Sequence, residues 1–252
     1  MRKEIIEKLN DLEKTHDVTI LYACESGSRA WGFPSLDSDY DVRFVYTHKK
    51  NWYLSIAQKK DVIELPVDAV LDINGWDIKK ALVLMRKSNA PLLEWMTSPI
   101  VYKKLDDPVD AIMDLSKKAL LPESSCHHYL ALAKRMMDEI YDRDFPRHKI
   151  MLYAVRSIMC CNWIIRHKTQ PPMRIQQLIS DLIEDDTLKE EIERLIAEKA
   201  ASDEYVNTEI PLAVKDYLER EITALPDKIP KNPEKLSVET FDLVFRRILN
   251  QH

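Results

Sequence analysis

The sequence predicts an α+β protein: a small mixed sheet with flanking helices over residues 1–105, then an all-helical region over 106–252. Three observations carry this. Runs rich in β-branched and aromatic residues at 18–24, 40–46 and 61–73 alternate with stretches of helical periodicity. Beyond Asp106, Asp107 and Pro108 the pattern is helical almost to the end. Glycine occurs only 3 times in 252 residues, so it does not serve as loop filler; two of the three lie within residues 25–42.

Ile5, Ile6, Leu9 and Leu12 fall on one face of a helix over 2–16. Residues 18–24 (VTILYAC) read as a buried strand, followed by a turn at Gly27 and Ser28 and a short helix around 29–31. Pro34 breaks that helix, and 40–46 forms a second strand. Residues 61–73 form a third strand or a pair, ending just before a turn at Gly75. Helices follow at 76–85 and 92–96, with Asn89 as a cap for the second. The helical region divides into 109–120, 124–141, 147–168, 174–183, 187–200, 210–223 and 237–250, with Ser124 and Ser237 as helix starters.

The composition, 45% hydrophobic and 31% charged, is that of an ordinary globular chain. A net charge of −5 disfavours sequence-blind binding along nucleic acid. The charge is uneven: residues 127–175 hold nine Lys/Arg against four Asp/Glu, and residues 176–230 hold six against fifteen. A phosphate-bearing partner suits the first of these segments. The four cysteines have neither disulfide nor CxxC spacing, and Cys126 with His127 and His128 reads as a helix start, not a metal site. The N-terminus lacks the apolar core of a signal peptide, and no apolar run approaches the ~18 residues that span a bilayer. The expected setting is the cytoplasm, with no membrane partner.

Chemistry concentrates at residues 25–42 (ESGSRAWGFPSLDSDYDV). Side chains alternate along a strand, so Asp39 and Asp41 share a face. Two carboxylates held that close repel unless a cation joins them, and Mg²⁺ (or Mn²⁺) takes a few carboxylates together with substrate phosphates. Two such ions serve phosphoryl-type transfer by activating a hydroxyl and neutralising the leaving group. Gly27 lets the backbone approach a phosphate, Ser28 supplies a hydroxyl and an N–H, and Arg29 is close enough to assist. Asp37, ahead of the strand, belongs to the turn.

The pattern Gly27-Ser28, ten residues, Asp39-Tyr40-Asp41 resembles the signature of the DNA polymerase β nucleotidyltransferase superfamily. Residues 25–33, 72–77, 87–95 and 149–163 together resemble the RlaP family within it, and the likeness covers most of 17–175. The resemblance implies a polymerase-β-type mixed sheet, an NTP substrate, two metal ions, and work beside RNA ligase and end-healing enzymes. It implies a third carboxylate on a neighbouring strand, for which Glu64, Asp68, Asp72 and Asp77 are candidates. Asp72 is chosen as catalytic residue and metal ligand with Asp39 and Asp41, because it ends its strand at the site edge; Asp68 is the runner-up. Asp77 suits the first turn of a helix.

Lys149, Tyr153, Arg156 and Trp163 recur at helical spacing and resemble the family's second-domain helix, which closes over the nucleotide. Lys149 and Arg156 are thus read as phosphate-binding, Arg156 bidentately. Arg143 and His148 match an Arg-x4-His pattern of helical ribonucleases of the HEPN group, with Pro146 placed against it. The activity so implied is transfer of a nucleoside monophosphate to an RNA 3′ end, in tRNA or nicked RNA, with release of pyrophosphate. Two alternatives stay open: a protein or small-molecule acceptor, and a non-catalytic nucleotide-binding subunit.

Overall fold

The computed structural model describes residues 1–66, 70–143 and 145–251. The runner-up Asp68 lies outside the described residues. The chain forms two compact units, one of residues Met1–Gly27, Asp39–Ala119 and Glu234–His252, the other of Ser28–Ser38 and Leu120–Pro233.

The first unit is built on five strands: β1 (Val18–Glu25), β2 (Tyr40–His48), β3 (Val62–Glu64), β4 (Leu71–Asp77) and β5 (Val101–Lys104). Their order is β3-β4-β2-β1-β5, with β2 and β4 parallel and the other neighbours antiparallel. The sheet is mixed, as the sequence predicts. Helix α1 (Arg2–His16) lays Ile5, Leu9 and Leu12 against Val18, Ile20, Val42, Phe44, Tyr46 and Ile73, forming one core. Each such side chain removed from water contributes roughly 1.5–3 kcal/mol.

Short helices α2 (Gly27–Trp31) and α3 (Lys50–Tyr53) follow β1 and β2. Helix α4 (Ile78–Arg86) starts later than periodicity suggests, because Trp76 and Asp77 complete β4 and Asp77 caps the helix by accepting from Lys79 N at 2.8 Å. Burial of that capping carboxylate raises the Asp77 pKa. Helix α5 (Ala90–Trp95) is capped by Asn89, which accepts from Leu92 N at 3.1 Å.

Gly75 corrects the sequence reading: β4 does not turn there but runs through it to Asp77. Gly75 is the register partner of Phe44, and a Cβ at Gly75 would lie 2.2 Å from two Phe44 ring carbons. The missing side chain is therefore the space that the buried Phe44 ring fills. Gly75→Ala is expected to cost about 2 kcal/mol by overpacking, read as a lowered denaturant midpoint. A midpoint equal to that of the unmodified protein would count against this role.

The compact units do not follow a division at residue 105. Helix α6 (Asp106–Lys118) buries Val109, Ile112 and Leu115 in the first unit, and Leu105 N donates to Leu21 O at 2.9 Å. Helix α12 (Val238–Leu249), capped by Ser237, returns to pack on α4 and α6 through Phe241, Ile248 and Leu249.

The second unit is helical: α7 (Pro122–Tyr141), α8 (His148–His167), α9 (Ile175–Leu182), α10 (Asp186–Ala200), α11 (Leu212–Ala224) and a 3-10 turn at Leu225–Lys228. Helix α7 begins with Pro122 and is not capped by Ser124, since proline needs no N–H partner at a first turn. Apolar residues surround α8 on nearly every side, so it forms the core against which α7, α9, α10 and α11 pack. Among the described residues no helix is long and apolar enough to cross a membrane.

Candidate active site

The first unit brings Glu25, Gly27, Asp41, Arg43 and Asp72 together near the start of β2. Ser26 N donates to Asp41 O at 2.8 Å. Glu25, fully buried at the end of β1, accepts from Asp41 N at 2.8 Å through one carboxylate oxygen and from the Tyr102 hydroxyl through the other. Ser98 Oγ donates to Glu25 O at 2.6 Å. The backbone of Asp41 is therefore held from both sides.

Gly27 has φ of 59°, a left-handed conformation that glycine adopts at little cost. A Cβ there would lie 2.0 Å from Asp41 Oδ2, so the Asp41 carboxylate rests on the bare α-carbon of Gly27. A glycine at this position serves conformation and close approach at once.

Asp41 and Asp72 are direct partners in the parallel register of β2 and β4. Arg43 joins them: its Nη2 lies 2.9 Å from Asp41 Oδ1 and 2.7 Å from Asp72 Oδ2. Its Nη1 donates to Asp72 O at 3.0 Å and Val42 O at 3.2 Å. Arg43 is absent from the sequence-derived site, although its place two residues after Asp41 on the same strand face was the available signal. Asp72 sits near the start of β4, not at its end. Asp39 directly precedes β2 and is exposed. Among the described residues no group of three or more His, Cys, Asp or Glu side chains is gathered to hold a metal ion. Asp41 and Asp72 are brought together with a guanidinium between them.

The donor chemistry still fits a divalent ion. Carboxylate oxygens are the ligands Mg²⁺ and Mn²⁺ prefer, and two of them face one cation already, that of Arg43.

The remaining sequence-derived residues belong to the second unit. Ser28 Oγ donates to Ser38 Oγ at 3.2 Å, and Ser38 Oγ also pairs with Ser35 Oγ and accepts from Ser35 N, each at 2.8 Å. Arg29 binds Ser38 O through Nε at 3.2 Å and Nη2 at 2.6 Å. Arg156 is buried, donates from Nε and Nη2 to Met173 O, and places its guanidinium 4.5 Å from the Trp31 ring centre. Lys149 pairs with Glu204 and lies over Tyr153. Tyr153 in turn meets Trp31 edge-on at 4.9 Å. Trp163 Nε1 donates to Thr169 Oγ1 at 3.1 Å. His148 is buried against Glu198 at 3.0 Å, whereas Arg143 pairs with Glu139.

Sequence reading also missed Lys199. It is 1% exposed and donates to Phe33 O at 2.9 Å and Ser35 Oγ at 3.4 Å, so α10 grips the segment 28–38. Burial lowers its pKa to about 8, opposed by Glu204 and Asp37 and assisted by Lys149 and Arg29. Between pH 8 and the ordinary 10.5, the folded amine is neutral while the unfolded one holds its proton. Lys199 therefore costs stability below pH 8, and this cost is relieved as pH rises to 10.5. Denaturant melts across that range are expected to show the native protein gaining stability relative to Lys199→Met as pH rises. Parallel pH profiles would refute it.

The mixed sheet, with carboxylates on adjacent parallel strands beside a glycine turn, accompanies a family match that places the chain among the polymerase-β-like nucleotidyltransferases. The chain belongs to the RlaP family, described as the RNA repair pathway DNA polymerase beta family, whose profile matches residues 1–247. It is 41% identical over 244 residues to the uncharacterized protein YcgL of Bacillus subtilis strain 168, spanning 96% of this chain and 92% of that one. Among solved structures, it is similar to a nucleotidyltransferase-like protein from Exiguobacterium sibiricum 255-15. The identity is 10%, with 98% of this chain and 80% of that chain covered, at a TM-score of 0.34. Nucleotidyltransferases of the superfamily generally use divalent metal ions and an NTP.

Proposed function

We propose that this protein transfers a nucleoside monophosphate from an NTP to the 3′ hydroxyl of an RNA, in tRNA or nicked RNA, and releases pyrophosphate. The observation that carries the reading is the pairing of Asp41 with Asp72 across parallel strands, with the Asp41 carboxylate seated on Gly27. Asp39, Asp41 and Asp72 would hold Mg²⁺ or Mn²⁺, whose contribution is to neutralise charge on the triphosphate and the leaving pyrophosphate. Glu25 keeps the Asp41 backbone fixed through its N–H. In the transfer, the acceptor oxygen bonds to the α-phosphorus, the bond from that phosphorus to the β-phosphate oxygen breaks, and the hydroxyl proton passes to Asp72. Gly27, Ser28, Arg29, Lys149 and Arg156 are the proposed phosphate contacts.

The family's description supports RNA as acceptor and RNA ligase or end-healing enzymes as partners. Four buried, free cysteines suit a reducing cytoplasm. The net charge of −5 favours a second reading, in which the acceptor is a protein or small-molecule hydroxyl.

Incubation with Mg²⁺ or Mn²⁺, each labelled NTP in turn, and a pool of nicked and intact tRNA tests this, beside the Asp39→Ala/Asp41→Ala double variant. Label on RNA 3′ ends that the double variant loses supports the proposal. NTP binding that needs Asp39 and Asp41, with no label on RNA, sends the acceptor to the second reading.

A further inference from the structure

We infer that Arg43 is an internal counter-cation that stands in for a divalent ion between Asp41 and Asp72, so that metal binds here by exchange with the guanidinium. The inference rests on the metal-dependent reading above. One nitrogen, Nη2, is within 2.9 Å of an oxygen from each carboxylate. An ion bridging those oxygens at roughly 2.1 Å would need the same space. The guanidinium and the ion cannot occupy it together.

The arrangement is built rather than incidental. Exposed ion pairs contribute little, but the Arg43 side chain is only 18% exposed, and those of Asp41 and Asp72 are 30% and 33% exposed. Desolvation of that degree strengthens each pairing. Nη1 is seated on two backbone carbonyls, so the planar fork has a fixed orientation that a lysine ammonium lacks. Like charges directly opposite one another on neighbouring strands are destabilising, and Arg43 offsets this in the metal-free protein. Once displaced, its charge no longer screens the carboxylates, and the ion takes over that task.

Exchange predicts opposite effects of Arg43→Gln on the two states. The metal-free variant melts at a lower temperature than the native protein, and Mn²⁺ raises its melting temperature by more. Mn²⁺ titration followed by electron paramagnetic resonance, without NTP or RNA, is expected to show binding about tenfold tighter in the variant. Arg43→Lys keeps the charge without the fork, should fall between the two, and serves if the glutamine variant does not fold. Asp41→Asn identifies the site, since binding there must depend on that carboxylate. Asp41-dependent Mn²⁺ binding of equal or lower affinity in Arg43→Gln overturns the exchange and leaves the proposed function standing. No Asp41-dependent Mn²⁺ binding in either protein overturns both.

Discussion

Asp41→Asn is expected to reduce nucleotidyl transfer by about a hundredfold to a thousandfold, a loss of the size seen when a charge-stabilising group is removed from an active site, while the protein stays folded. Asparagine matches aspartate in size, so the contact with Gly27 and the backbone bonds to Glu25 and Ser26 survive. What disappears is one of the two negative charges facing Arg43. The effect on folding stays small for the same reason: the remaining carboxylate, Asp72, still pairs with the guanidinium. Single-turnover transfer of labelled NMP, alongside a thermal melt, separates the two quantities. Activity within tenfold of the native protein would remove Asp41 from the reaction.

Gly27→Ala is expected to be nearly as damaging, by a different route. A left-handed conformation at a non-glycine residue costs about 1–2 kcal/mol, and the native φ is 59°. The added methyl also meets Asp41 Oδ2 at 2.0 Å and Cγ at 2.9 Å, so the carboxylate must move. A displacement of about 1 Å at reacting groups costs on the order of a hundredfold in rate. The expected signature is a modest loss of stability with a large loss of kcat, measured by denaturant titration and transfer assay. Unchanged kcat in a folded variant would mean that Asp41 tolerates displacement and that Gly27 matters for the turn alone.

The elements legible in the sequence were those whose side chains repeat at their own period. Ile5, Leu9 and Leu12 mark α1, because burial on one face leaves a local trace, and a run rich in β-branched and aromatic residues marks β2. Asn89 and Ser237 read correctly as caps, since a cap acts on an N–H only three residues away. Strand β5 left no such trace. It is four residues long, none fully buried, and is recruited by pairing with β1. The return of α12 to the unit containing the sheet was equally hidden, because its apolar stripe of Phe241, Ile248 and Leu249 does not specify which surface will cover it.

Within the candidate site the same boundary holds. Residue type and spacing pointed to the α+β class and to Asp39 and Asp41. The resemblance of residues 25–33, 72–77, 87–95 and 149–163 to a known family supplied the family and the third carboxylate, Asp72. Only the tertiary structure decided that β4 runs parallel to β2 with Asp72 opposite Asp41, that Arg43 lies between them, and that Gly75 gives its space to Phe44. It also decided that Lys199, 164 residues along the chain from Ser35, is bonded to it. Local patterns record what a residue does for its own helix or strand. Strand register and long-range ion pairs depend on which surfaces meet, and distant segments settle that jointly.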